Sequence, residues 1–111
     1  MCIFCKIVNN EIPAKKHYED DNCIIIDDIF PQAQKHYLLI PKEHYADITC
    51  MSEEQAVVLG KCLKKLASLT DELGLQGGFR LASNKGEHAC QTVGHLHIHV
   101  LGGEQLLGKM C

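Results

Sequence analysis

The chain lacks a basic excess, a long apolar run and a basic N-terminal leader, and each absence excludes a class of protein. Its 11 Lys and Arg residues against 14 Asp and Glu residues leave no surplus charge to neutralise a nucleic-acid backbone. Uncharged apolar runs such as 23–26 are far shorter than the ~20 residues that span a bilayer. No basic segment precedes an apolar stretch, as a secretory signal requires. We therefore expect a cytoplasmic protein with neither nucleic acid nor membrane as partner, while a mononucleotide stays compatible with the charge.

The sequence also lacks repeats, low-complexity tracts and Gly/Ser/Pro-rich linkers, so we expect one domain over 1–111. Its 46% hydrophobic content excludes a disordered chain. A chain of 111 residues buries only about two thirds of its unfolded surface, so a dimer or a bound metal would add useful stability.

Histidine and cysteine, in contrast, are abundant, with seven residues of each. An odd number of cysteines without a secretory signal makes a disulfide framework an unattractive interpretation. Reduced thiols, some of them metal ligands, are the better hypothesis.

Local patterns predict strands separated by one long helix. Ser52 and Gln55 form a capping box that begins the helix, and Gly74 is a typical left-handed residue at which to end it. Residues 3–9 are compatible with one or two helical turns, and β-branched or alternating segments predict strands at 23–27, 36–40, 79–83 and 95–101. This order indicates an α+β fold in which a helix packs on one face of an antiparallel sheet.

The most informative segment is 95–100, where histidine alternates with aliphatic residues. In a strand, His95, His97 and His99 lie on one face at ~6.5–7 Å intervals, and the aliphatic residues face the core. A single strand histidine is usually solvated or hydrogen-bonded, but no fold requirement explains three in register. Clustered imidazoles serve either as metal ligands or in acid/base and nucleophilic catalysis. A neutral ring nitrogen can attack phosphorus without a general base, and the resulting N–P bond is labile.

A CxxC motif lies at the N-terminus, at Cys2 and Cys5. It supplies two of the four ligands of a tetrahedral zinc site. A thioredoxin-like redox motif is the competing interpretation, which is weakened because no strand precedes the motif. Sequence spacing does not select the histidines that would complete the zinc site.

Polar residues near the histidines suggest a nucleotide site. Asp28 follows a predicted strand and could accept hydrogen bonds from a ribose diol. No glycine-rich phosphate loop of the usual kinds is present, so other groups must hold a phosphate. The polar residues closest in sequence, which by default form turns, are Ser83, Asn84, Gln91 and Thr92.

The segment His-Leu-His-Ile-His-Val resembles the His-x-His-x-His signature of the histidine triad (HIT) superfamily. The resemblance extends over nearly the whole chain. It is strongest to the Hint branch, the nucleoside phosphoramidases, which the following segments resemble: 11–15, 18–21, 28–33, 39–42 with His44, and 101–103. It implies a HIT-like α+β fold with a five-stranded antiparallel sheet, one long helix and a short N-terminal helix. It also implies a homodimer that joins two sheets.

The resemblance further implies an activity, namely cleavage of the P–N bond of purine nucleoside 5′-phosphoramidates with release of AMP. His97 would be the nucleophile that forms a nucleotidyl-histidine intermediate, and His99 and His36 would complete the catalytic cluster. The implied nucleotide contacts are Asp28 to the ribose, Ile29 at the base, and Asn84, Cys90, Gln91 and Thr92 with His97 and His99 around the phosphate. Hydrolysis of dinucleoside polyphosphates and a non-enzymatic AMP-binding regulatory module are the alternatives.

HIT proteins with an N-terminal CxxC bind zinc, and the resemblance implies a structural zinc held by Cys2, Cys5, His44 and His95. The chain departs from the family at Cys90, where Gly is common, and at Gly94, which replaces a bulkier residue. It also ends at Cys111 without the Trp- and Pro-containing tail of many members, from which we expect a change in leaving-group preference. His17 and His88 have no predicted role.

Overall fold

The computed structural model describes residues 2–109, so Cys111 and the expectation attached to it lie outside the described residues. Residues 2–109 form two α-helices and five strands. In chain order they are α1 (Ile3–Val8), β1 (Lys16–Glu19), β2 (Cys23–Asp27), β3 (Lys35–Pro41), α2 (Glu53–Ser68), β4 (Phe79–Ala82) and β5 (Ile98–Gly102).

The five strands form one sheet in the order β1-β2-β3-β5-β4, with every neighbouring pair antiparallel. This confirms the α+β architecture, with its five-stranded sheet, one long helix and short N-terminal helix. The local pattern did not predict β1, whose four residues alternate between half-buried and exposed at the edge of the sheet. So short and polar a strand carries little hydrophobic signal.

The two helices cover opposite faces of the sheet. Ile24 and Ile26 of β2 pack in a cluster with Phe4 and Ile7 of α1. The alternate residues Cys23 and Ile25 pack in the cluster beneath α2, with Cys62 and Leu66. Because β2 is buried on both faces, its sequence is continuously apolar rather than alternating.

Helix α2 begins as predicted and ends earlier than predicted. Its capping box is present, since Gln55 N donates to Ser52 Oγ at 3.1 Å and Ser52 N donates to Gln55 Oε1 at 2.8 Å. The helix ends at Ser68 and not at Gly74, because Leu69 N bonds to the carbonyl three residues back and turns follow. Gly74 has the expected positive φ of 74°.

Strand β5 begins at Ile98, so the prediction of a strand from His95 was wrong in its start. The β3–β5 register pairs Leu39 with Ile98, and its continuation would bring Pro41 opposite Leu96, two positions further on. Pro41 has no N–H to donate to the ladder, and Leu96 N bonds instead to Tyr45 O at 2.7 Å. The alternation nevertheless persists through the irregular part, because the apolar members still enter the core beneath α2, at Leu96, Ile98 and Val100.

None of the helices in the described part of the chain is long and apolar enough to cross a membrane.

Candidate active site and metal centre

A cavity of about 630 Å³ opens on the face of the sheet that α1 covers. One part of its wall is apolar and is contributed by α1, β2, β3 and neighbouring loops, at Ile3, Phe4, Ile7, Ile26, Ile29, Phe30, Leu38 and Val93. The polar wall includes most of the residues that the sequence indicated, at Asp28, His36, Asn84, Cys90, Thr92, His97 and His99. An apolar pocket with a few convergent polar groups is the usual form of a small-molecule site.

The hydrogen bonds of His97 determine which of its nitrogens is free. Its Nδ1 lies 2.8 Å from the carbonyl oxygen of His95, and a carbonyl only accepts, so Nδ1 carries the proton. Nε2 is therefore the nitrogen with a lone pair. Ser83 Oγ donates to the His97 carbonyl at 3.1 Å and holds the backbone of the same residue. His97 is 7% exposed and lines the cavity, so its ring is held in one orientation beside the cavity.

A second chain of hydrogen bonds sets the protons of His36 and His99. The backbone amide of Gln32 donates to His36 Nδ1 at 2.9 Å, so in the neutral ring Nε2 carries the proton. His36 Nε2 lies 2.9 Å from His99 Nδ1 and donates to it. His99 then holds its own proton on Nε2, as a donor on the cavity wall. The pair needs neutral rings, and burial lowers the pKa of both imidazoles below the ordinary value of 6.5.

Asp28 lies beside this pair. Its Oδ1 accepts from Phe30 N at 2.8 Å, and its Oδ2 lies 3.3 Å from His36 Nε2 and 3.7 Å from His99 Nδ1. These three side chains are close enough together to bind a metal ion. The protonated Nε2 of His36 disfavours that use, because a ligating nitrogen must offer its lone pair. The cluster is better suited to hydrogen bonding with a polar ligand.

The loop before the triad contributes unequally to the cavity. Asn84 and Thr92 line it, but the Gln91 side chain is committed to backbone, with Oε1 accepting from Gly86 N at 2.9 Å and Nε2 donating to Ala46 O at 2.8 Å. Gln91 thus holds the loop, and its side chain is not among the cavity-lining groups. Cys90 lines the cavity in the left-handed conformation, with φ 59° and ψ 36°. The left-handed conformation costs a residue with a Cβ roughly 1–2 kcal/mol of conformational free energy. Glycine lacks this cost, so it is well suited to this position.

The four expected metal ligands lie together near the start of α1. The six distances among Cys2 Sγ, Cys5 Sγ, His44 Nδ1 and His95 Nδ1 run from 3.1 to 3.6 Å. Four tetrahedral zinc ligands of these types are separated by about 3.3–3.8 Å, given their usual bond lengths. The donor set therefore has nearly the shape that zinc requires.

His95 is also in the correct tautomer for a metal. Its Nε2 donates to the carbonyl oxygen of Pro41 at 2.8 Å, which leaves Nδ1 with the lone pair directed toward the two thiols. A second hydrogen bond of this kind typically orients a ligating histidine. His95 is fully buried and His44 is exposed. The metal centre is therefore buried on the His95 side and open to solvent on the His44 side.

The structure adds groups that sequence reasoning missed. These groups are the apolar wall from α1, the amide of Gln32 and the carbonyl of Pro41. The two backbone groups have no sequence signature, and the only signal for the wall is the position of Phe4 within the CxxC motif. His17 lies on the edge strand β1, with its Nε2 2.8 Å from Asp27 Oδ1 of β2, and His88 is exposed in a short turn. Neither of these two histidines joins the cavity lining or the metal centre.

Comparison with known proteins identifies relatives over most of the chain. A family model described as the scavenger mRNA decapping enzyme C-terminal binding region matches residues 1–109. An uncharacterised HIT-like protein of Synechocystis is 45% identical over 101 residues, covering 91% of this chain and 89% of that protein.

Solved structures match the whole fold. A HIT family hydrolase from Clostridium thermocellum superposes with a TM-score of 0.93 at 42% identity, covering 99% of this chain and 96% of that one. A zinc-bound histidine triad family protein from Mycobacterium smegmatis has a TM-score of 0.79 at 38% identity, covering 93% and 75% of the two chains. The similarity thus includes both a hydrolase and a zinc-bound protein.

Proposed function

Since this chain belongs to the histidine triad (HIT) superfamily, we propose that it is a nucleotide hydrolase of the Hint-like branch. It cleaves the P–N bond of purine nucleoside 5′-phosphoramidates and releases AMP. The observation that carries the proposal is the tautomer of His97, whose Nδ1 is tied to a carbonyl at 2.8 Å and whose Nε2 retains its lone pair. The similarity to a HIT family hydrolase supports a hydrolytic reaction.

The reaction proceeds in two displacements at the α-phosphorus. His97 Nε2 forms a bond to phosphorus as the P–N bond breaks, and the amine leaves with a proton taken from solvent, which leaves a nucleotidyl-histidine. Water then attacks the same phosphorus and gives up a proton to solvent, the bond to His97 breaks, and the nucleoside monophosphate departs. His99 donates its Nε2–H to a phosphoryl oxygen, where negative charge develops, and His36 holds His99 in that tautomer. Asn84 and Thr92 supply further polar contacts beside the phosphate.

The cavity wall fits the remaining parts of a nucleotide. The apolar side chains from α1, together with Ile29, contact the base, and Asp28 Oδ2 accepts from the ribose hydroxyls. Oδ2 is free of backbone bonds, since the Phe30 amide takes Oδ1. Cys90 narrows the phosphate end of the site relative to a glycine.

Zinc bound by Cys2, Cys5, His44 and His95 would have a structural role, since the protein supplies all four ligands. It would tie the N-terminus to the segment that carries the triad. The zinc-bound relative supports this assignment. The six cysteines of the described residues form no disulfide with one another, which supports a cytoplasmic location.

The position of β4 at the edge of the sheet supports a homodimer formed through this strand. Among the described residues, β4 is the last strand in the order and pairs on one side only, with β5. Phe79 and Leu81 on this strand are 40% and 41% exposed, and Leu107 is 81% exposed. An uncovered apolar edge strand is a typical pairing surface for a second copy.

The test is turnover of adenosine 5′-phosphoramidate, followed by phosphorus NMR, in the wild type and in His97→Ala. We expect AMP release by the wild type and none above background by the variant. His88→Ala changes an exposed histidine that is not among the cavity-lining residues, so it is the matched control and should retain full activity. Full activity of His97→Ala would refute the assignment of the nucleophile.

A second candidate function is hydrolysis of dinucleoside polyphosphates, which the decapping description of the matching family model favours. It uses the same nucleophile with a phosphate leaving group. Comparison of kcat/KM for a phosphoramidate and for a dinucleoside polyphosphate separates the two. Tight AMP binding with negligible single-turnover chemistry would instead indicate a regulatory module.

A further inference from the structure

Helix α1 connects the proposed metal centre to the proposed nucleotide cavity. Cys2 caps the helix, accepting from Cys5 N at 3.2 Å, and both cysteines belong to the four-donor cluster. Other side chains of the same helix line the cavity, at Ile3, Phe4 and Ile7. A helix of six residues is not stable alone in water, so its position depends on these tertiary contacts.

Phe4 contacts histidines of both sites. Its ring centroid lies 5.9 Å from that of His95 and 5.0 Å from that of His97, with interplanar angles of 85° and 72°. These are favoured edge-to-face geometries, and Phe4 is 7% exposed. The His95 carbonyl also accepts from His97 Nδ1. A movement of α1 or of His95 therefore reaches the imidazole whose Nε2 performs the attack.

We propose that occupancy of the Cys2, Cys5, His44 and His95 site controls nucleotide binding through α1, with Phe4 as the positioning residue for His97. The inference rests on the proposed function and deepens it. With zinc bound, the two thiols hold the start of α1 against the sheet and the apolar wall is complete. Without zinc, the two thiols are no longer joined to the two histidines through a metal ion. Helix α1 then separates from the sheet, and the base loses its apolar wall.

Linkage makes this coupling reciprocal. If zinc raises the affinity for AMP by some factor, AMP must raise the affinity for zinc by the same factor. We expect a factor of about 10, within the usual range of coupling between sites.

The experiment measures both arms on the full chain. Calorimetry gives the AMP affinity of zinc-loaded and of chelator-treated protein, and competition with a chromogenic chelator gives the zinc affinity with and without saturating AMP. Zinc titrated with AMP alone corrects for direct complexation. We expect equal factors in the two arms, together with faster hydrogen exchange of the α1 amides in the zinc-free protein.

Equal AMP affinity of the loaded and zinc-free proteins would overturn the inference and leave the proposed function intact. Absence of AMP binding and turnover in the zinc-loaded protein would instead refute the proposed function. Absence of any zinc affinity would overturn the inference together with the proposed zinc centre.

A variant of the zinc-loaded protein covers the case in which the zinc-free chain does not fold. Phe4→Leu keeps the four donors and an apolar wall but removes the ring. We expect one zinc per chain, a kcat lowered by about two- to tenfold, the range of an aromatic pair, and a smaller change in KM. Ile7→Ala, from the same helix, should raise KM more than it lowers kcat, because Ile7 lines the cavity without an aromatic ring. Wild-type kcat in Phe4→Leu would overturn the positioning role.

Discussion

His36 offers a direct test of how the cavity histidines hold their protons. His36→Ala removes the Nε2–H that donates to His99 Nδ1 and the Nδ1 that accepts from the Gln32 amide, both at 2.9 Å. Asp28 Oδ2 remains 3.7 Å from His99 Nδ1 as an acceptor. The His99 proton then moves from Nε2 to Nδ1, and the ring presents an acceptor where the phosphoryl oxygen needs a donor.

The size of the effect follows from the bond that is lost. A hydrogen bond to a charged group contributes about 1.5–3 kcal/mol. If this bond is stronger in the transition state, where charge develops on the phosphoryl oxygen, kcat falls roughly 10- to 150-fold. KM should change less, because His36 acts on the substrate only through His99.

Two measurements check this reasoning. Single-turnover release of AMP gives the rate, and nitrogen-15 NMR of the His99 ring gives the tautomer directly. His36→Gln is the matched control, because its side-chain amide can place an N–H near the former Nε2 and should recover part of the rate. A His36→Ala protein with unchanged kcat and with the His99 proton still on Nε2 would refute the relay.

Further predictions concern pH, metal and assembly. Because burial lowers the pKa of His36 and His99 below 6.5, both rings are mainly neutral at pH 6.5, so kcat should hold at that pH and fall only at lower pH; a rate already halved above pH 6.5 would contradict this. Elemental analysis should find one zinc per chain, lost in Cys5→Ser and kept in Cys50→Ser, whose side chain is exposed; a metal-free wild type purified without chelator would count against the site. Leu81→Asp should convert a dimer to a monomer in analytical ultracentrifugation, since it places a charge on the β4 edge; an unchanged dimer would exclude this interface.

Features that depend on near neighbours in the chain were predictable from the residues. The capping box at Ser52 was correct in position and partners, because both groups lie within one helical turn. The alternation of histidine with aliphatic residues correctly predicted which side chains enter the core, even though β5 begins only at Ile98. One error arose where a distant partner decides, since Pro41 ends the ladder before His95.

The sequence by itself therefore determined that three imidazoles share one side of a segment and that two thiols lie one turn apart, because covalent spacing places them there. Only the tertiary structure decided which histidines meet those thiols, since the pairs are 42 and 93 residues apart and depend on the register of the sheet and the position of α1. The proton positions were also a tertiary property. Backbone groups from other elements, the Gln32 amide and the Pro41 carbonyl, select the tautomers of His36 and His95, and no residue type encodes where such groups will lie.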